Sequence, residues 1–399
     1  MRVTTLAVEN YRSLRHFVIP LTGLNVVTGA NGSGKSSLYR SLRLLAEAAR
    51  NNAVAALARE GGLESTLWAG PAVVRRKQTR GNAIAIGQPG DAATLRLGFS
   101  GDDFGYAIEF GIPTPDMATQ VEPSLFNHDP EIKCESIWAG PILRPSTALV
   151  ERHNGVVTVR AEHGEWDMRP HFVYPYDSML SELSDPEAAP ELFRVREKIR
   201  SWRFYDHFRT DVDSAARGSH IGTRTLVLSG DGADLAAALR TIYEVGDREA
   251  LADTIDQAFP GSTLEVVEIA GRFQLLLHQP GLNRPLSVAE LSDGTLRYLL
   301  LAAALSTPRP PELLVLNEPE SSLHPDLLAP LAALIADAAE RSQVIVVSHA
   351  RPLVAAAVGA AEATGVDVSL IQLDKNDSGE TLIDGQGLLD GPAWNWPKR

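Results

Sequence analysis

The chain has 399 residues with 44% apolar and 22% charged side chains, proportions of an ordinary globular protein long enough for two or three domains. Its formal net charge of −13 argues against diffuse nucleic-acid binding by the whole surface and leaves only a local basic patch for that purpose. One cysteine, Cys134, excludes an intrachain disulfide and a cysteine-based metal cluster, and no uncharged apolar run approaches the roughly 18 residues of a membrane span.

Residues 1–28 alternate in the manner of strands, first through Val3, Leu6 and Val8 and then through Phe17, Val18 and Ile19. Within them Met1–Asn10 has no apolar core of signal-peptide length, and a cytoplasmic location without a membrane partner is expected. Gly23–Thr28 reads as a short buried strand on Leu24, Val26 and Val27. Gly29-Ala30-Asn31-Gly32-Ser33-Gly34-Lys35-Ser36 follows and fits G-x-x-x-x-G-K-[ST]. From Ser36 to about Arg50 the pattern is helical, with Leu38, Leu42 and Leu45 on one face. The motif therefore lies on a strand-to-helix turn, where glycines let the backbone wrap a phosphate. Exposed N–H groups and the positive end of the helix dipole then hold its charge. Lys35 is expected to reach the β- and γ-phosphates of ATP, with the Ser36 hydroxyl on Mg²⁺. Asn31, Gly32, Ser33, Gly34 and Ser37 complete the expected cradle.

A second helical run, Ala53–Arg59, ends at Gly61-Gly62. From about 72 to 165 the reading is mostly β, with candidate strands at 82–87, 93–99, 104–111 and 132–138. Residues 148–160 read as a hairpin turning at Asn154-Gly155. Residues 176–260 turn helical, including Ala233–Tyr243 and Arg248–Phe259. The run Arg194, Arg196, Lys198, Arg200, Trp202, Arg203, Phe204, Tyr205, His207, Phe208, Arg209 is basic with aromatics between. It suits nucleic-acid contact, or equally an amphipathic helix whose Trp202, Tyr205 and Phe208 pack inward while the arginines stay wet. Strands return at 263–269 and 272–278.

In the last third, Leu291-Ser292-Asp293-Gly294-Thr295 opens a helix, Leu296–Leu305, that is apolar on every side and so reads as buried. Leu313–Leu316 is an apolar strand with Asn317-Glu318-Pro319-Glu320 at its end. Pro325 suits the first turn of a helix running to about Arg341. Val344–Val347 is a further buried strand ending in Ser348-His349. Strand, helix and strand in this order predict a parallel sheet with helices on its faces, and groups such as Gly29, Glu318 and His349 then gather at carboxyl ends of strands.

This combination resembles the ATP-binding-cassette ATPases of the RecF and SMC type, most closely their compact bacterial AAA-type relatives. The resemblance rests on Val8-Glu9-Asn10-Tyr11-Arg12-Ser13, the Gly29–Ser37 loop, Leu291–Thr295 as signature motif, Leu313–Pro325 as Walker B and D-loop, and His349 as switch histidine. It covers about 1–45 and 288–355 closely and the middle loosely. It implies an α/β P-loop NTPase: an ABC-ATPase-like head with a mostly parallel core sheet, an antiparallel β region and a helical insertion. On this basis the chain divides into an N-terminal lobe (1–175), a helical insertion (176–260) and a C-terminal lobe (261–399). It also implies a head-to-head dimer with ATP held between subunits. Lys35, Ser36, Glu318 and His349 would serve one nucleotide, and Ser292 and Gly294 from the second subunit would close over its γ-phosphate. Glu318 would polarise the attacking water, His349 would sense the γ-phosphate, and Arg12 is a further phosphate contact by the same carry-over. Gln78 is the candidate for the Q-loop.

Two departures stand out. Walker B ends in Asn317-Glu318 instead of Asp-Glu, which removes a negative charge from the expected metal position and predicts slow turnover. Asp293 stands in the signature motif where better-known members have Gly. The expected role is ATP-driven dimerisation in DNA repair, maintenance or anti-phage defence. The alternatives are a nucleotide-dependent switch for a partner nuclease, which Asn317 favours, and a transporter nucleotide-binding subunit, which usually has a shorter chain. No nuclease motif is visible, and Ser292 also reads as a plain helix N-cap.

Overall fold

A computed structural model describes residues 2–70, 94–113, 125–126, 128–161, 164–167, 171–183, 189–206, 208–387 and 390–398. Gln78, the expected strand 82–87 and His207 lie outside the described residues. In chain order the elements begin with β1 (Val3–Tyr11), β2 (Leu14–Pro20), β3 (Leu24–Gly29), α1 (Lys35–Ala48), α2 (Ala53–Arg59) and α3 (Gly62–Thr66). There follow β4 (Leu95–Gly101), β5 (Phe104–Gly111), β6 (Glu131–Ala139), β7 (Ala148–His153), β8 (Val156–Val159), β9 (His171–Phe172), α4 (Met179–Glu182) and α5 (Pro190–Ser201). Next come β10 (Arg203–Tyr205), β11 (His220–Ile221), α6 (Leu235–Val245), α7 (Arg248–Ala258), β12 (Thr263–Ile269), β13 (Arg272–His278) and β14 (Leu286–Ser287). The chain closes with α8 (Asp293–Leu305), β15 (Leu313–Asn317), α9 (Leu328–Arg341), β16 (Gln343–Val347), α10 (Arg351–Thr364), β17 (Val368–Lys375) and β18 (Thr381–Ile383).

Two compact units are formed. The first comprises Met1–Leu21, Gly29–Ser201 and Gln372–Arg399, and the second Thr22–Thr28 and Trp202–Ile371. The first unit is built on an eight-stranded antiparallel sheet ordered β2-β1-β4-β5-β6-β7-β8-β9. Alternation is clean in β7, where Ala148, Val150 and Arg152 point inward. The inward Arg152 is fully buried, and its Nη1 donates to Glu135 Oε2 at 2.8 Å. Glu135 also accepts from Tyr106 Oη (2.7 Å), Ser178 Oγ (2.5 Å) and the Met179 N–H (2.8 Å). A buried ion pair is tolerated when its remaining lone pairs and protons are satisfied in this way. The hairpin turns at Asn154 and Gly155 as the sequence predicts, with Asn154 at φ 54°.

The second unit carries the parallel sheet. Strands run β10-β15-β16-β3, every neighbour parallel, and β17 starts in this unit beyond β3. A small antiparallel ribbon, β11-β13-β12 with β14 on β13, belongs to the same unit. Its core gathers around α8, buried at every position from Leu296 to Leu305. Apart from the buried Arg297 this stretch presents no charged face to water, so it occupies the centre of a layered core.

The basic run is not one helix. α5 ends at Ser201, and Arg203–Tyr205 is a strand paired in parallel with Leu314–Leu316. Tertiary pairing overrides the helical charge pattern here, because an extended Phe204-Tyr205 completes the edge of an apolar parallel sheet. Trp202, Tyr205 and Phe208 are buried, as the packing alternative expects, but Tyr205 lies in a strand and none of the three lies in a helix. Segment 176–260 likewise mixes helices with β10 and β11. None of the helices among the described residues is long and apolar enough to cross a membrane.

Candidate functional site

In the first unit the Gly29–Ser36 loop joins the end of β3 to α1. Gly29, Gly32 and Gly34 take φ of 151°, 80° and 109°, which side-chain-bearing residues adopt only under strain. A Cβ on Gly34 would stand 2.2 Å from Thr381 Oγ1, and one on Gly29 would stand 2.3 Å from the Leu373 carbonyl oxygen. These glycines therefore permit both the turn and its close packing. Thr381 Oγ1 lies 2.8 Å from Ser13 Oγ and 2.9 Å from the Ser33 carbonyl, fixing the loop from behind. Lys35 is buried and its Nζ donates to the carbonyls of Gly29 (2.7 Å) and Ala30 (2.9 Å). Ser33 Oγ is buried without a hydrogen-bond partner among the described residues. Asn31, Gly32 and Ser36 are exposed, and Ser37 is half-buried. A buried ammonium, an unsatisfied hydroxyl and the start of a helix in one glycine-rich turn fit a phosphate.

Arg12 is placed differently from a bare phosphate contact. It sits at φ 50°, and its Nη2 donates to Glu60 Oε2 at 2.6 Å, which also accepts from Tyr11 Oη at 2.7 Å. Burial pulls the Arg12 pKa down, but Glu60 and Tyr11 outweigh it and hold the guanidinium above its usual value. Burial and Glu60 together push the Tyr11 hydroxyl up. This trio joins the end of β1 to Glu60, just beyond α2.

In the second unit the carboxyl ends of the parallel strands form a row. Asn317 pairs with Val347, Val347 with Val27, and Tyr205 with Leu316. The ladder extends past the strands, since Glu318 N–H donates to the Val347 carbonyl (2.8 Å) and Ser348 N–H to the Val27 carbonyl (3.0 Å). Two residues after Val27 the phosphate loop begins on the same strand.

Glu318 lies at φ 47°, a strained position for a residue with a side chain. Its carbonyl accepts from Arg297 Nη2 at 3.1 Å, so both of its peptide groups are held. The carboxylate is left half-exposed, 3.6 Å from His349 Nδ1. Glu320 is buried, and its Oε1 accepts from Ser348 Oγ (2.6 Å) and from the N–H groups of His349 (3.2 Å) and Ala350 (3.3 Å). The same oxygen is 3.5 Å from His349 Nδ1. Arg297, 1% exposed inside α8, has its pKa lowered by burial against the opposing pull of Glu320 and Glu318. Asn317 Nδ2 donates to Asp206 Oδ1 at 3.2 Å.

At the start of α8, Ser292 Oγ accepts from Thr295 N–H at 3.1 Å and is the N-cap. A Cβ on Gly294 would stand 2.9 Å from the Ser322 carbonyl oxygen, so this turn is packed against the segment after Walker B. Asp293 accepts from Arg217 Nη2 at 2.7 Å, while Arg217 Nη1 donates to the Leu291 carbonyl at 2.8 Å. Arg217 thus holds the signature turn from a distant segment. Arg217, Glu320, Arg297, Thr381 and Asp206 carry no motif of their own. Only Glu320, two residues past Glu318, gave the sequence a local signal.

The basic run offers less to a nucleic acid than its composition suggests. Arg196 is buried and donates to the Leu183 carbonyl (3.3 Å), and Arg200 Nε donates to the Ala49 carbonyl (3.0 Å). Lys198 meets Asp103 at 3.3 Å, and Arg209 meets Asp211 at 2.6 Å.

The loop, the parallel sheet and the strand-end carboxylates define an ABC-type P-loop ATPase fold. Two family models match the sequence: "AAA ATPase domain" over residues 1–99 and "AAA domain, putative AbiEii toxin, Type IV TA system" over residues 160–356. Among solved structures, an SMC head bound to the C-winged helix domain of ScpA covers 97% of this chain and 99% of its own, at 13% identity and a TM-score of 0.52. The SMC head domain from Thermotoga maritima covers 97% and 100%, at 14% identity and a TM-score of 0.46. No curated protein matches the sequence. The two models assign AAA-type ATPase domains to both parts of the chain, and its fold is similar to that of an SMC head.

Proposed function

We propose that the protein binds ATP with Mg²⁺, hydrolyses it slowly, and couples that cycle to head-to-head dimerisation. The observation that carries the reading is Glu318, whose strained backbone is held on both sides while its carboxylate stands free of a direct hydrogen bond among the described residues. Such strain at a strand end is characteristic of a side chain aimed at chemistry.

In this reading the loop amides and Lys35 hold the β- and γ-phosphates, Lys35 exchanging the Gly29 and Ala30 carbonyls for phosphate oxygens. Mg²⁺, when bound, neutralises charge on those phosphates. The Ser36 hydroxyl and the Asn317 amide oxygen would hold it. Glu318 orients and polarises the attacking water, and His349 hydrogen-bonds the γ-phosphate, its position set by Glu320. Ser292 and Gly294 serve the nucleotide of a second copy, because a lone P-loop site has no use for them. Arg12, tied to Glu60, supports the β1–α2 corner and contributes to phosphate only through it.

The biological setting is anti-phage defence or DNA maintenance, in the cytoplasm, with a nuclease or other effector as partner. The family model's toxin–antitoxin wording favours defence. The SMC head solved with a ScpA winged helix is a precedent for a protein partner on this fold. DNA contact through 194–209 receives little support, since its cations are largely engaged within the chain. Light scattering tests the central claim. Glu318→Gln should accumulate a dimer with ATP and Mg²⁺ and lose at least about 100-fold in turnover, as expected for removing the group that positions the water. Only monomer at micromolar protein would overturn the dimer reading.

A further inference from the structure

β10 is the edge of the parallel sheet, and it ends one residue before Asp206. Because Tyr205 pairs with Leu316, Asp206 comes level with Asn317 on the adjacent strand. Asn317 Nδ2 donates to Asp206 Oδ1 at 3.2 Å. An ionised carboxylate only accepts, so the group that Asn317 turns toward Asp206 is its NH₂ and the amide oxygen faces away. A neutral amide otherwise has two nearly equal orientations, of which one would present N–H donors to a cation. Asp206 removes that ambiguity. Together the two side chains carry one negative charge, the charge that a single Asp at 317 would have carried alone.

We propose that Asp206 is a positioning residue for the metal end of the nucleotide site: it fixes the Asn317 amide oxygen outward and supplies, from the neighbouring strand, the negative charge that Asn317 lacks. The inference rests on the ATP·Mg²⁺ reading above. It changes what Asn317 means. The Walker B position is then a charge displaced by one strand, not a lost one, and Asn317→Asp places two carboxylates at hydrogen-bond distance without a proton between them. The competing view is that Asp206 merely ties the edge strand to β15, in which case it contributes to folding and nothing to the cation.

The test uses the full chain with a non-hydrolysable ATP analogue and Mn²⁺, whose binding is followed by loss of the free-ion paramagnetic resonance signal. Asp206→Asn should weaken Mn²⁺ by about 10-fold or more, the usual cost of removing a group that orients a metal ligand. The exchange Asp206→Asn with Asn317→Asp, which keeps one amide and one carboxylate, should return Mn²⁺ affinity to within about threefold of the wild type. Thermal melting without metal should show Asn317→Asp less stable than either the wild type or the exchange, through like-charge repulsion. An Asp206→Asn protein whose Mn²⁺ affinity stays within about twofold overturns the inference and leaves the ATP reading standing. Should that variant not fold, the exchange decides: affinity recovered supports the inference, and a loss of about 10-fold or more overturns it. If the wild type binds no analogue with or without Mn²⁺, the ATP reading falls and takes this inference with it.

Discussion

The phosphate loop and the row of strand ends teach different things about how a site is made. The loop is eight consecutive residues, and its shape is produced by its own backbone: three glycines at positive φ and a lysine bonded to carbonyls five and six residues earlier. The row draws Asp206, Asn317, Glu318, Glu320, Ser348 and His349 from segments far apart in the chain, brought together by parallel register, and Arg297 joins them from α8. A substitution in the loop should therefore act on ligand binding. One in the row should act on fold stability and function together, because its side chains also satisfy backbone donors.

The largest expected effect is at Lys35. Lys35→Ala removes the buried ammonium and should reduce ATP affinity by about 100-fold or more while leaving the melting temperature nearly unchanged. Calorimetric titration checks it, and unchanged affinity would break the assignment of the loop. Glu320→Ala should show the opposite balance. It leaves Ser348 Oγ and the His349 N–H without their acceptor, the Ala350 N–H with Ser348 Oγ alone, and Arg297 without its buried counter-charge. A loss of about 3 kcal/mol in urea unfolding is expected, with Glu320→Gln milder because it keeps an acceptor.

Smaller effects sharpen the same contrast at the signature turn. Ser292→Ala deletes the N-cap bond to Thr295 and should cost about 1 kcal/mol. If Ser292 also serves a second copy, the variant should lose ATP-driven dimerisation by light scattering beyond what that modest destabilisation explains. Just upstream, hydrogen bonds first from Arg284 and then from Ser287 hold the Glu290 carboxyl at about 2, below its ordinary 4.5. A depressed carboxyl stabilises the fold above its ordinary pKa, and that contribution disappears as the pH falls from 4.5 toward 2. Acid-unfolding curves of Glu290→Gln should lack that small component. Identical curves would show that the pair contributes nothing at this exposed site.

Most local elements were legible because their signals are local. The strands at 263–269 and 272–278 appear with the expected bounds, and the helix at 53–59 likewise. The buried character of Leu296–Leu305 followed from apolar residues on every side. Segment 194–209 misled because charge pattern and aromatic spacing say nothing of a sheet edge waiting to be completed; Arg203–Tyr205 became a strand only because β15 lies beside it. Arg12 illustrates a related limit. Its motif position suggested phosphate, yet Glu60 and Tyr11 claim its guanidinium.

By itself the sequence determined the phosphate loop, the α/β order of the last third and the identity of the strand-end groups, since glycine spacing, apolar periodicity and turn chemistry act over a few residues. Only the tertiary structure decided which of those groups meet. Glu320 beneath His349, Arg297 behind Glu318, Arg217 against Asp293 and Asp206 beside Asn317 are contacts of register and burial. The last joins residues 111 positions apart through parallel register, and the others join segments 21 to 76 positions apart through burial and loop placement; no short-range pattern encodes either.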